Sequence, residues 1–477
     1  MSFTRKQIIL SMIWKYLEQC SSQAVQFVIS IILARLLLPE DFGVIALVAT
    51  FISIANIFVA GGLSTALIQK KDADELDFSS AFWFNLGIVF LVYAMLFFAA
   101  PMIASFYEKD IFIPIVRILG LTLFIGVFNS MQTVVVAKNL LFKKMFYRSL
   151  AVSIPTGIFG ISLAYNGFGV WSLVWQQLLG SILMYIFMQF VVKWKPTLNF
   201  SYERAMKLFS FGGKLFIAQI INSIQENLHN AIIGKIFSPA ILAFYVRGSS
   251  FPNIIINNIN TSLHSVLFPV LSSIQEDKER VKNMVKKSMI LSTYAITPLM
   301  AILAVISEPL VKILLGEKWL PAVPFMQIYC FFYAFWPLHT TTLAPIHALG
   351  KSGTILVQQI FKLFFHSLAI LICVLYFKSA IYLALFMAVY SCFCFAINAI
   401  PNKKIIDYSF FEQVADIFPN FLLSLLAVGV LLPLSLLKLN EFVTIFLQIF
   451  VGLGFYIGFS RLFKIKGFLY ILELKRR

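Results

Sequence analysis

KLFIAQIINSIQENLHNAIIGKIFSPAILAFYVRGSSFPNIIINNINTSLH (214–264) reads as two long helices joined at Ser238-Pro239. Both are apolar enough for a bilayer. Both also carry residues that a plain anchor would not tolerate: Lys214, Gln219, Asn222, Glu226, His229 and Asn230, then Arg247, Asn253, Asn257, Asn260 and His264. The arrangement recurs at 14–64, with the turn at Leu38-Pro39, 200 residues before Pro239. The two elements are expected to face each other and form a transport cavity.

The composition agrees with a membrane setting. Hydrophobic residues make up 60% of the 477 residues and charged residues 12%, against about 45–50% and about 25% in soluble domains. A soluble chain of this length could not cover its surface with so little charge. Arg5 and Lys6 precede an apolar run that Lys15 and Glu18 interrupt, and no small-residue cleavage site follows. The first helix is therefore expected to be retained. The five cysteines lie in apolar stretches and read as small packing residues.

About 20 mostly apolar residues are needed per span. Fourteen segments qualify: 8–34, 42–69, 79–105, 111–137, 146–165, 169–192, 208–234, 240–270, 288–307, 321–349, 354–377, 380–400, 414–437 and 442–461. The expected fold is an all-α polytopic membrane protein: an N-terminal lobe over 1–200, a C-terminal lobe over 201–405, and a helix pair with a basic tail over 406–477. No connection is long enough to hold a soluble domain.

With both termini placed in the cytoplasm, only seven basic residues fall on the far side: Arg35, Lys109, Lys235, Lys312, Lys318, Lys378 and Lys438. Five lie at membrane depth (Lys15, Arg117, Lys214, Arg247 and Lys362), and the remaining 26 of the 38 are cytoplasmic. This asymmetry is a positive-inside signal. It accounts for the net charge of +17 as attraction to anionic lipid rather than to nucleic acid.

The halves share more than a turn. Arg35-Leu-Leu-Leu-Pro39 aligns with Lys235-Ile-Phe-Ser-Pro239, and Gln19, Ser22 and Gln26 align with Gln219, Asn222 and Glu226 at the same offset. Steps of three and four keep each polar stripe on one helical face. Thr50, Ser53 and Ser64 match Ser250, Asn253 and His264. More loosely, Phe106-Tyr107-Glu108-Lys109 resembles Leu315-Gly316-Glu317-Lys318. Six spans per repeat is an even number, so the halves should be parallel, with two further spans after them.

At ARLLLPEDFGVIAL (34–47), GGLSTALIQKKD (61–72), SFYEKDIFIPIVRILGL (105–121), ILLGEKWLPAVPF (313–325) and PIHALGKSG (345–353), the sequence resembles the Wzx-type polysaccharide flippases of the multidrug/oligosaccharidyl-lipid/polysaccharide exporter superfamily. The resemblance covers roughly residues 5–400. It implies two six-helix lobes with two helices outside them. It also implies translocation of a polyprenyl-diphosphate-linked oligosaccharide to the outer leaflet for O-antigen, capsule or exopolysaccharide assembly. Ala243 stands where the first-half turn has Gly43, so the second turn is expected to differ in backbone geometry.

A diphosphate-sugar head is anionic and strongly hydrated, so it needs a polar, preferably cationic path through hydrocarbon. Intramembrane ionisable residues commonly mark such a path. Lys15, Arg117, Lys214 and Arg247 are the candidates for substrate binding. Each lies within about two turns of a helix end, where the bland alternative is snorkelling. Lys362, with only His366 as a polar companion, is expected to snorkel. Gln19, Ser22, Gln26, Gln219, Asn222, Asn253, Asn257 and His264 are expected to line the cavity. Glu18 and Glu226 are candidates for coupling to a proton or sodium gradient; the alternatives are a Lys15–Glu18 ion pair and interhelical packing. The histidines lack the spacing of a metal cluster, and neither a catalytic residue nor a cofactor is expected.

The expected partners are the lipid-linked substrate, the bilayer and other polysaccharide-assembly proteins, in a bacterial plasma membrane. Exporters of drugs or of peptidoglycan precursors remain open as relatives of the same superfamily. A membrane-embedded polymerase or glycosyltransferase would need an extramembrane loop with site chemistry. The outer loops are short and offer only scattered acids.

Overall fold

The computed structural model describes residues 5–60, 63–70, 72–349, 351–437 and 439–476, which are helical with no strand. The described residues of the fourteen expected segments are predominantly helical, several of them as more than one helix. Among the described residues, ten helices are long and apolar enough to cross a membrane. The other four segments are more polar, as at 146–165, 208–234 and 240–270, or broken, as at 321–349. The chain divides into two compact units, Met1–Leu242 and Ala243–Arg477.

Unit 1 runs α1 (Arg5–Leu36), α2 (Pro39–Ala60), α3 (Leu63–Gln69), α4 (Glu75–Tyr107), α5 (Phe112–Gly120), α6 (Thr122–Asn139), α7 (Phe142–Tyr165), α8 (Val170–Val191) and α9 (Tyr202–Ile236). The helix α1 lies along α7, and α7 along α8. The buried side chains Val44, Leu47, Val48, Ile52, Ala55 and Val59 make α2 the core helix, meeting α4, α5, α6, α8 and α9.

Proline at the first helical position, where no N–H is needed, opens α2 at Pro39 and α10 (Pro239–Ser273) at Pro239. The preceding helices end at Leu36 and Ile236, so the 200-residue offset holds at both edges of the turn. Gly43 explains why the first turn needs glycine. A Cβ there would stand 1.8 Å from the Pro239 carbonyl oxygen and 2.3 Å from its carbon. The absent side chain at Gly43 lets α2 pass directly against the backbone that opens α10. Five residues before Pro239, Gly234 makes a like opening for Leu47, whose Cδ2 would lie 2.2 Å from an added Cβ.

Because backbone stands opposite, neither side can yield at Gly43. Gly43→Ala is expected to destabilise the protein by about 3 kcal/mol, at the upper end of overpacking effects. Thermal unfolding in detergent checks this; a melting curve unchanged from wild type would refute the close approach.

Unit 2 continues α10 and adds α11 (Lys278–Val305), α12 (Ser307–Leu314), a 3₁₀ turn (Glu317–Ala322), α13 (Val323–Ala334), α14 (Trp336–Ala348), α15 (Ser352–Ile372), a π turn (Cys373–Phe377), α16 (Ala380–Ala399), α17 (Asn402–Ile406), α18 (Phe410–Ser435), α19 (Glu441–Leu462) and α20 (Lys466–Arg476). Its repeat of unit 1 is visible inside each unit. In each, a positive-φ residue follows a helix: Glu108 (φ 57°) after α4, and Gly316 (φ 94°) after α12, which itself follows α11. The next span is broken, at Leu121 between α5 and α6 and at Phe335 between α13 and α14. The left-handed positions align Glu108 with Gly316, one residue off the Glu-Lys match. Pro337 sits in the first turn of α14, so it opens a helix rather than kinking one.

The helix α11 is the core of unit 2, with α13 and α14 packed against it and α18, α19 and α20 also in contact. Helices in lipid gain little from apolar contact with each other, so small polar residues hold them. Asn420 Nδ2 donates to Thr293 Oγ1 (2.9 Å) and to the Ile290 carbonyl (3.1 Å), and Ser424 Oγ donates to Thr297 Oγ1 (2.8 Å). At the end of this buried ladder Asp416 accepts from Lys286 (2.7 Å), Lys466 (2.8 Å) and the Tyr408 hydroxyl (2.9 Å). The C-terminal helices are thereby fastened to α11.

Candidate functional site

The polar stripe of α1 sits on a helix of spanning length. Lys15 is exposed, with its ammonium 5.5 Å from the Phe142 ring centre. Gln19 and Ser22 are half-buried and Gln26 is exposed. Glu18 turns away from the stripe: its Oε1 accepts from Ser149 Oγ of α7 at 2.7 Å. No ion pair joins Lys15 to Glu18 among the described residues. Beside Ser149, Arg148 is 8% exposed. Its Nη1 lies 3.3 Å from Met188 Sδ and its Nε has no partner. The charge count assigned Arg148 to the cytoplasmic surface. It is buried instead because α7 starts at Phe142, more than a turn earlier, and Arg148 is turned toward Met188 of α8.

Arg117 is held by α4. Its guanidinium carbon stands 4.0 Å over the Phe97 ring, and its Nε donates to the Phe97 carbonyl at 3.4 Å. Arg247, on α10 in unit 2, has its guanidinium carbon 5.4 Å from the ring centre of fully buried Trp319. Both arginines therefore stack on aromatic faces, as a planar cation does well. Asn253 is half-buried, while Asn257 and Gln219 are exposed. The neighbouring Asn260 accepts from Thr340 Oγ1. The side chains of Lys214, Asn222, Glu226 and His264 lie outside the described residues.

Two charged clusters tie α9 into unit 1, and the sequence reading identified neither. At one end, Arg204 Nη1 reaches both carboxylate oxygens of Asp74, at 2.7 and 2.6 Å, and Asp77 at 3.4 Å. Asp77 is wholly buried, accepts from Lys70 Nζ at 2.5 Å and completes a capping box with Asp74 at the start of α4. Lys70, Asp72, Asp74, Asp77, Arg204 and Lys207 border a cleft of about 690 Å³. The extended segment before α9 is bound to the same helix. Thr197 N and Oγ1 donate to buried Ser79, Ser201 N donates to Ser80, and Trp83 Nε1 donates to the Thr197 carbonyl.

The hydrogen bond from Arg204, then that from the Asp77 backbone, pulls the Asp74 carboxyl down to about 2. A depressed carboxyl stabilises the fold above its ordinary value, near 3.9. That contribution is lost as pH falls through about 2. At the other end, Lys235 donates to Glu108 at 2.8 Å and lies 5.1 Å from the Phe106 ring centre. That bond holds the Glu108 carboxyl below its ordinary value. Lys109 pairs with Glu40, and Tyr107 donates to the Ala231 carbonyl at 3.2 Å. The signal for these clusters was present in the acids beside each turn, but the cations of α9 that join them, Arg204 and Lys235, lie 127 to 130 residues away.

This is a helical, multi-span membrane protein with two units of like internal order. The sequence profile of the family described as "Polysaccharide biosynthesis protein" matches residues 32–324, more than half of the chain, and the chain belongs to that family. It is 24% identical to the succinoglycan biosynthesis transport protein ExoT of Rhizobium meliloti, over 66% of this chain and 64% of that protein. It is 24% identical to the lipopolysaccharide biosynthesis protein WzxC of Escherichia coli, over 63% and 61%. The chain thus spans less than two thirds of the length of these relatives. An uncharacterized membrane protein in the cps region of Klebsiella pneumoniae is 26% identical over 93% and 92%. In fold it is similar to the lipid II flippase MurJ in an inward closed conformation, with TM-score 0.76 and 17% identity over 95% of this chain and 98% of that one. A multidrug-resistance MATE transporter in an inward-facing conformation follows at TM-score 0.55 and 16% identity, over 86% and 95%.

Proposed function

We propose that this chain is a flippase that carries a polyprenyl-diphosphate-linked oligosaccharide across the bacterial plasma membrane for surface polysaccharide assembly, by alternating access and without catalytic chemistry of its own. The observation that carries this is the family match from the end of α1 to the start of α13, which takes in the turn at Pro39 and the broken fourth span. The polar stripe of Lys15, Gln19, Ser22 and Gln26 supports it, since hydrocarbon tolerates such a face only where it serves a path. Both termini face the cytoplasm in this reading, with other polysaccharide-assembly proteins as partners.

Arg117 and Arg247, with Lys15 and Lys214, engage the diphosphate. Guanidinium forks suit phosphate oxygens, and stacking on Phe97 and Trp319 keeps each fork presented. Glu226 carries the coupling ion, proton or sodium; Glu18, engaged by Ser149, is left to the α1–α7 seam.

The experiment is a deletion strain whose lipid-linked intermediates are analysed by mass spectrometry. A complete oligosaccharide held in the cytoplasmic leaflet is the expected result, and incomplete chains would favour an enzyme. In the same strain, complementation by Arg117→Gln with Arg247→Gln should fall at least tenfold at wild-type protein level, the equivalent of about 1.4 kcal/mol. Normal export by that variant would remove the cationic path. Glu226→Gln should abolish ion dependence, and full dependence would remove its coupling role.

A further inference from the structure

Gln358, Lys362 and His366 follow one another at steps of four along α15, and so share one face. All three are buried, at 4%, 7% and 1% exposure, while Ile360, Phe361, Phe364 and Leu368 on other faces are exposed. Lys362 is ten residues from each end of α15, or about 15 Å at 1.5 Å per residue, farther than a lysine stem reaches. It is therefore buried in the middle of a spanning helix and does not snorkel, contrary to the expectation from sequence.

The elements packed against α15 are α14, α16 and the π turn. From α16, the Tyr390 hydroxyl donates to the Lys362 carbonyl at 2.8 Å, and the Ile397 carbonyl accepts from Gln358 Nε2 at 2.8 Å. His339 of α14 and Cys394 of α16 are the titratable groups within electrostatic reach of the Lys362 amine. Tyr390, 5.2 Å from the His366 ring, and Cys373 of the π turn complete the buried set. His347 and Lys378 sit at helix ends, away from mid-span. No Asp or Glu occurs between Glu317 and Asp407. None of these elements can supply a counter-charge.

A buried ammonium without a counter-charge is costly. It can be relieved by a bound anion or by release of its proton. An anion needs donors, and two of the neighbouring ones are already engaged: Tyr390 with the Lys362 carbonyl, and Gln358 with that of Ile397. Among the described residues, the acceptors Gln358 Oε1 and Asn398 Oδ1 lack a partner. Unfilled acceptors suit the N–H groups of an amine or ammonium.

We propose that Lys362 is a proton-binding site in the middle of unit 2, its amine taking one proton in one conformation of the transport cycle and returning it in another. It names the proton as a driving ion and rests on the transporter reading above. The site is independent of Glu226, which lies in unit 1.

The test has two arms. Purified wild type and Lys362→Met are titrated in nanodiscs between about pH 6 and pH 9, a range in which a solvated lysine keeps its proton. Wild type should release about one proton more, and superimposable curves overturn the proposal. In proteoliposomes carrying a fluorescent polyprenyl-diphosphate-linked sugar, a pH gradient should accelerate flipping several-fold in wild type. Lys362→Met and Lys362→Arg, which fix the charge at zero and at one, should both lose that acceleration; its retention in either overturns the proposal. Lys362→Gln replaces Lys362→Met if the latter fails to assemble. A wild type that flips no lipid yet shows the extra proton refutes the substrate reading and supports the site.

Discussion

Asp416→Ala will destabilise unit 2 by about 4 kcal/mol and release its C-terminal helices from α11. Three donors converge on this one carboxylate, whose side chain is 5% exposed. The Lys286 and Lys466 side chains are 30% and 56% exposed, so both cations can return to water once the acid is gone. The Tyr408 hydroxyl cannot, because that residue is fully buried. An unpaired buried hydroxyl costs about 1–3 kcal/mol, and each charge-assisted hydrogen bond lost about 1.5–3. Partial resolvation of the lysines brings the total to about 4. Asp416→Asn with Tyr408→Phe should recover part of the loss, since it removes the stranded hydroxyl together with the charge. The readouts are thermal unfolding in detergent and protease cleavage between α19 and α20. An Asp416→Ala protein that melts with wild type and resists cleavage there would show that the ladder of Thr293, Thr297, Asn420 and Ser424 holds the helices unaided.

The second large effect is expected at Asp77. Its carboxylate closes the capping box at the start of α4, and caps contribute about 1 kcal/mol. It also receives the Lys70 ammonium in a fully buried position, a further contribution of about 2 kcal/mol. Asp77→Ala is therefore expected to destabilise unit 1 by about 3 kcal/mol. A second consequence is conformational. With Asp77 gone, Arg204 keeps only exposed Asp74, and the extended segment carrying Thr197 and Ser201 loses one of its ties to α4. Hydrogen exchange across residues 192–206 should rise, while that of the buried α11–α18 ladder should not. Equal protection in variant and wild type would show that Ser79, Ser80 and Trp83 hold the segment without the ion cluster.

Much of the helical order was legible in the chain. The Pro39 and Pro239 turns fall where the repeat put them, because a proline without an N–H can start a helix but rarely sits inside one. The broken fourth span in each half was read as continuous. Hydropathy averages over a window, and one residue leaving helical geometry at Leu121 or Phe335 does not change that average. The candidate site was legible in residue type but not in pairing. Glu18 was a candidate for ion coupling with a pair to Lys15 as the alternative, yet its hydroxyl partner, Ser149, is 131 residues on. Arg148 was read as a cytoplasmic cation and Lys362 as a membrane-depth lysine that snorkels, since a lone basic residue in an apolar run looks the same whether its face meets lipid, water or another helix.

By itself, then, the sequence determined that this chain enters a membrane, where its turns fall, that its halves repeat and what chemistry it carries at membrane depth. Those are properties of composition, period and local backbone chemistry, set within a few residues of each position. Only the tertiary structure decided which charges are engaged: Asp77 and Asp416 as buried hubs, Arg117 and Arg247 on aromatic faces, and Lys362 without a carboxylate near it. The energy of a charge depends on the dielectric and the partners around it, and those come from other elements of the fold, as far away as Arg204 is from Asp77 and Lys286 from Asp416.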